Sequence, residues 1–265
     1  NGSFDYFIKT NNGMFISVEY PAVLGASAPK VNDGKFRGRG WEFSLNWRDQ
    51  ISDFKYNVGF QLSDAWSEVM RLTNNEAVPY AGMNNNRLIG KPQYSIYAYR
   101  TDGLFQTQEE VDAYYEKYYW NADHTGPKTG NILPAPRSKT TNTLRPGARK
   151  YVDVNGDGAI TRDDIYYAGD AAPRMSFGIK AGAEWKGLDV SVFFQGVGKQ
   201  KLLRSGYFYA PWVVNYVMQN KTFMGKMWTT DNPTAQYAIA SRDAAFNRWN
   251  YQNCDVSVQN NKYIR

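Results

Sequence analysis

The chain has 265 residues, with 31 Lys+Arg against 25 Asp+Glu, and it carries 20 Tyr, 14 Phe and 8 Trp. One cysteine, Cys254, and one histidine, His124, exclude an intramolecular disulfide, a Cys-rich zinc module and any multi-histidine metal or relay site. With 42% apolar and 21% charged residues the chain can build a core, and no apolar run is long enough for a transmembrane helix, which leaves a membrane barrel open.

The opening Asn1-Gly2-Ser3-Phe4 has no initiator Met, basic region or apolar region of a signal peptide, so the sequence reads as a portion of a longer chain. The densest basic cluster, Lys30, Lys35, Arg37 and Arg39, is interrupted by glycines and has no helical or zinc-finger frame, so no nucleic-acid partner is expected. From Trp41 the periodicity is two. Trp41, Phe43, Leu45 and Trp47 alternate with polar residues, and after a short connection at 49–53 so do Phe54, Tyr56, Val58, Phe60 and Leu62. These runs predict a hairpin.

A long connection follows, residues 65–172. Within it Thr107 to Trp120 has an N-cap candidate and Glu109 and Glu110 in the first turn, which predicts a short helix. His124 lies in the loop after it with no catalytic motif, so no enzyme activity is expected. Residues 153–164 match a 12-residue calcium loop. Asp153, Asn155 and Asp157 supply oxygens at positions 1, 3 and 5, Gly158 makes the sharp turn, the Ala159 carbonyl stands at 7 and Asp164 at 12. Asp in place of Glu at position 12 shortens the reach, so Ca²⁺ is the expected ion with Mg²⁺ as the alternative. A metal-free turn built on the Asn-Gly and Asp-Gly pairs is the competing reading. Pro146 and Gly147 remove the entering helix of an EF-hand, so the ion would be structural.

A second hairpin is predicted at 174–195. Met175, Phe177, Ile179, Ala181, Ala183 and Trp185 lead to a tight Lys186-Gly187 turn, and Leu188, Val190, Val192 and Phe194 return, with Phe193 as a misfit. Runs of about 10–12 residues suit tilted strands crossing a bilayer better than a soluble sheet. Trp47 and Trp185 beside the short turns suit an aromatic girdle, and Lys55, Lys180, Glu184 and Asp189 on the other face suit a hydrated lumen. The short turns lie at one end and the long connections, about 11–33, 65–172 and 200–260, at the other, which predicts extracellular loops. Two aromatic clusters, Tyr114, Tyr115, Tyr118, Tyr119 and Trp120, then Tyr207, Phe208, Tyr209 and Trp212, are expected to pack the loops or meet a partner protein in preference to stacking on sugars.

Several segments in order resemble the C-terminal barrel region of SusC/RagA-type TonB-linked outer-membrane transporters of Bacteroidetes. They are Asn32 to Gly34 with Arg39-Gly40-Trp41-Glu42, Thr101 to Gln106 with Glu109-Glu110, Tyr151 to Gly158 with Ile160, Gly169 to Pro173, Lys186 to Gly196, and Trp228-Thr229 with Asn232-Pro233. The resemblance implies an all-β fold, residues 1–265 forming part of one transmembrane β-barrel of about 22 strands. It implies an outer-membrane location and a SusD-like lipoprotein as lid. It further implies energy from TonB through a plug and TonB box that lie outside this sequence, and import of oligosaccharides or peptides. The competing class is a soluble, calcium-stabilised extracellular carbohydrate-binding β module.

Overall fold

A computed structural model describes residues 1–16, 30–72, 88–138, 140–206, 209–210 and 220–265. In chain order the strands are β1 (Gly2–Ile16), β2 (Val31–Ile51), β3 (Phe54–Arg71), β4 (Ser95–Tyr99) and β5 (Thr101–Leu104). Helix α1 (Gln108–Tyr118) comes next, then β6 (Arg149–Tyr151), β7 (Ile165–Asp170), β8 (Arg174–Trp185), β9 (Leu188–Lys199) and β10 (Lys201–Leu203). Helix α2 (Ala244–Asn250), β11 (Val258–Asn260) and β12 (Tyr263–Ile264) complete the order. The chain divides into two compact units, Asn1–Ile96 with Gly169–Leu202 and Asn260–Arg265, and Tyr97–Ala168 with Leu203–Gln259.

The first unit is an open antiparallel sheet with the order β1-β2-β3-β8-β9-β12. Both predicted hairpins are present, and they are neighbours: Phe54 to Ser63 pair with Trp185 to Ser176 in continuous register. Ser52 and Lys186 enter the tight turns with φ 55° and 48°, and Gly187 follows at 85°, which an L side chain rarely tolerates. The first turn is only Ser52-Asp53, so β2 runs through Ile51 and the connection is shorter than the predicted 49–53.

Strands β2 and β3 are 21 and 18 residues long, well beyond the expected 10–12, whereas β8 and β9 keep 12 each. The extensions at 31–40 and 63–71 escaped the periodicity because charged and glycine residues replace apolar ones there. Lys35 to Gly40, Lys-Phe-Arg-Gly-Arg-Gly, stands opposite Arg71 to Ala65.

Register puts Phe4, Tyr6 and Ile8 of β1, Trp41 to Trp47 of β2, Tyr56 to Leu62 of β3, Phe177 to Trp185 of β8 and Leu188 to Phe194 of β9 on one face, each at alternate positions. That face is exposed: Trp47 keeps 56% of its surface, Leu188 64% and Ile264 71%. Leaving such side chains in water forgoes about 1.5–3 kcal/mol apiece, so the sequence specifies a nonaqueous contact for this face. The opposite face carries Ser3, Ser44, Asn57, Gln61, Lys180 and Glu184. It is tied by Ser3 Oγ to Ser44 Oγ at 2.8 Å and Lys55 Nζ to Glu184 Oε1 at 3.2 Å. Phe193 lies on this polar face, with its ring against Gly178, where the missing Cβ leaves it a seat.

The second unit has a conventional buried core. Tyr115, Phe105, Val111, Leu144, Ile160, Phe246 and Trp249 are all essentially inaccessible. Among the described residues no helix is long and apolar enough to cross a membrane.

Candidate functional site

Helix α1 starts as predicted. Thr107 accepts from the Glu110 N–H at 3.3 Å, and Glu109 and Glu110 occupy the first turn, where negative charge faces the helix dipole. Of the first aromatic cluster, Tyr114, Tyr115 and Tyr119 are buried, and Tyr118 and Trp120 are half-buried. Tyr114 Oη donates to the Tyr151 carbonyl at 2.7 Å and Tyr115 Oη to the Pro134 carbonyl at 2.9 Å. These rings hold the unit together. Burial pushes the Tyr114, Tyr115 and Tyr151 phenols above their usual value of 10.0. Of the second cluster, Tyr209 is buried against Phe223 and Tyr237, while Tyr207, Phe208 and Trp212 lie outside the described residues.

The 153–164 loop is wound on its own amides. Asp153 accepts from the N–H of Gly156 at 2.7 Å and of Gly158 at 2.9 Å. Asn155 Oδ1 accepts from the Asp157 N–H at 3.0 Å, and Asp157 Oδ1 from the Ala159 N–H at 2.8 Å. The φ values of +76° at Gly156 and +80° at Gly158 make the reversal possible. Asp164 is fully buried and clasps the loop shut. Its Oδ1 accepts from Val154 N–H at 2.7 Å and its Oδ2 from Thr161 N–H at 2.8 Å, completing a capping box with Thr161. Burial raises its carboxyl above 3.8, against the opposing pull of those amides.

The loop thus gathers Asp153, Asn155 and Asp157 into one turn sequence and assigns Asp164 a closing role that the spacing alone did not reveal. Among the described residues no three His, Cys, Asp or Glu side chains converge as a cage by themselves. The donor set nonetheless suits a hard cation in chemistry. It is all oxygen, and each amide bond uses one of about four acceptor positions on a carboxylate, which leaves capacity for an ion. Lys128 Nζ donates to the carbonyls of Gly158 and Lys117, each at 2.6 Å, tying the loop to the last turn of α1.

His124 is exposed, stacks on Trp120 and meets Glu116 Oε1 at 3.1 Å. Cys254 is buried.

An open antiparallel sheet with one exposed apolar face and one polar face defines a barrel wall of the outer-membrane type. No family model matches the chain. TonB-dependent receptor P26 of Formosa agariphila is 26% identical over 251 residues, covering 91% of this chain and 22% of that receptor. Receptor P3 of the same organism is 22% identical over 194 residues, covering 73% and 18%. Among solved structures, the RagAB peptide importer in its closed-closed state superposes with TM-score 0.59 at 17% identity, covering all of this chain and 26% of that one. The RagAB peptide transporter gives 0.56 at 18%. The chain is similar to TonB-dependent receptors of the SusC/RagA type, which are outer-membrane proteins and not enzymes. The chain spans about a quarter or less of the length of the relatives it matches.

Proposed function

We propose that this chain forms part of the wall of a TonB-dependent outer-membrane transporter. The wall imports oligosaccharides or peptides together with a SusD-like surface lipoprotein, and residues 65–172 and 200–260 face the outside. The observation that carries the reading is the continuous exposed apolar face of β1, β2, β3, β8 and β9 backed by a polar face. A soluble carbohydrate module would leave that face in water. In cells that carry the full receptor, uptake of labelled oligosaccharide or peptide should require both TonB and the lipoprotein. Uptake that persists without either contradicts it.

The proposal extends to the 153–164 loop, in which Asp153, Asn155, Asp157, the Ala159 carbonyl and Asp164 would hold Ca²⁺, or Mg²⁺ in its place. The ion would pin a loop whose own closure depends on a few charge-assisted amide bonds. Tb³⁺ luminescence sensitised by nearby tyrosines, competed by Ca²⁺ and abolished by Asp157→Ala, is the expected result. An unchanged signal in that variant contradicts the site.

A further inference from the structure

The basic cluster Lys35, Arg37 and Arg39 has no part in the transport reading, yet the register gives it a definite place. Along β2 these residues occupy the same alternate positions as Trp41, Phe43, Leu45 and Trp47. They therefore continue the outward face just beyond Trp41, at the end of the sheet away from the 52–53 and 186–187 turns.

Neighbouring strands build the same patch. Trp66 of β3 stands opposite Arg39, and the guanidinium groups of Arg39 and Arg174 each lie 5.0 Å from its ring centroid. Arg37 and Arg39 share Glu68 Oε2 at 2.9 and 3.5 Å. Arg174 reaches Asp64 through Nε and through Nη2, the latter at 2.6 Å. By alternation along β8 Arg174 would point to the polar face. Met175 breaks the alternation with φ 54°, a conformation costly for a side chain of this size, and Arg174 joins Asp64 on the outward side.

The charges on this patch do not cancel. Four basic groups, Lys35, Arg37, Arg39 and Arg174, stand with two carboxylates, Asp64 and Glu68. An unneutralised cation facing hydrocarbon is disfavoured, but the cost falls nearly to nothing at the headgroup level. From Leu62 on the apolar face to Trp66 is about 13 Å along a strand, and less along the normal of a tilted one, which sets the patch at headgroup depth.

We propose that this Arg-Trp-Arg patch binds the phosphorylated sugar headgroup of an outer-leaflet glycolipid. The two arginines that share a single carboxylate oxygen keep donors for a phosphate, for which the planar guanidinium fork is suited, and the Trp66 ring holds the Arg39 and Arg174 guanidinium groups in place. The proposal rests on the membrane reading above and on the outward placement of the long loops.

The test uses the full receptor in phosphatidylcholine nanodiscs doped with lipid A, either diphosphorylated or enzymatically dephosphorylated, with retained glycolipid counted by native mass spectrometry. The wild type should retain the phosphorylated form about tenfold better, and R37Q/R39Q should lose that preference. R48Q, on the polar face near the other end of β2, should keep it. R37K/R39K, which preserves charge, should fold as the wild type does and retain part of the preference. A receptor that enters nanodiscs but holds both glycolipids equally, or whose R37Q/R39Q form keeps the preference, overturns the proposal alone. A receptor that cannot enter nanodiscs overturns the membrane reading and this proposal with it.

Discussion

In the six-stranded sheet, Trp47 and Leu188 leave 56% and 64% of their surface uncovered, whereas in the 97–168 and 203–259 unit Trp249 and Tyr115 leave 2% and 1%. Both regions are rich in aromatic residues, so composition cannot separate them. What separates them is where polar groups are satisfied. The sheet satisfies its backbone in continuous ladders and keeps side-chain polarity on one face, which suits a wall between lipid and water. The second unit ties irregular backbone to side chains instead. Tyr151 Oη donates to the Trp249 carbonyl at 2.8 Å, Trp249 Nε1 to the Arg149 carbonyl at 2.8 Å, and Asn250 Oδ1 accepts from the Arg149 N–H at 2.7 Å.

That contrast can be broken most sharply in the buried unit. Phe246→Ala should cost about 3–5 kcal/mol of local stability, read by hydrogen exchange across 97–168 and 203–259, because it empties a fully closed core position. In the sheet the equivalent damage comes from charge. Val192→Lys on the apolar face should cost about 2–4 kcal/mol in a bilayer refolding titration, while Ser191→Lys one residue away on the polar face should cost about nothing.

Smaller effects sharpen the picture. Asp243 caps α2 by accepting from the Ala245 N–H at 2.9 Å, and it pairs with Arg137. Burial pushes its carboxyl up, but Arg137 and the amides of Phe246 and Ala245 outweigh burial and leave it below 3.8. Its contribution is therefore complete above pH 3.8 and is lost as the pH falls through the lowered folded value. Asp243→Asn should cost about 1 kcal/mol at neutral pH and flatten the acid limb of an unfolding profile. The raised phenols act in the other direction. Tyr114, Tyr115 and Tyr151 stabilise the folded unit fully below pH 10.0, and that stability declines as the pH rises toward their folded values, measurable as delayed phenolate absorbance. At the bottom of the scale, Lys55→Ala should change stability by less than about 1 kcal/mol, since both Lys55 and Glu184 are half exposed.

The parts legible in the sequence are those where one local rule acts alone. Alternation marked 41–47, 54–62, 177–185 and 188–194 with Phe193 as its one misfit, Lys186-Gly187 marked a tight turn, and Thr107 with Glu110 marked the start of α1. The upper halves of β2 and β3 were not legible, because their cross-strand partners are ion pairs and glycines. The partnership of Arg174 with Asp64, 110 positions apart in sequence, depends on the break at Met175, for which no residue pattern gives a signal. In the 153–164 loop the spacing marked the oxygen-bearing residues, but the closing role of Asp164 comes from its burial.

The central claim is that the alternate apolar face of the sheet contacts lipid. Single cysteines introduced one at a time at 188–195, in a receptor whose own Cys254 is buried, should react with a water-soluble maleimide in bilayers only at the polar-face positions 189, 191, 193 and 195. Equal labelling at Val190, Val192 and Phe194 would contradict it.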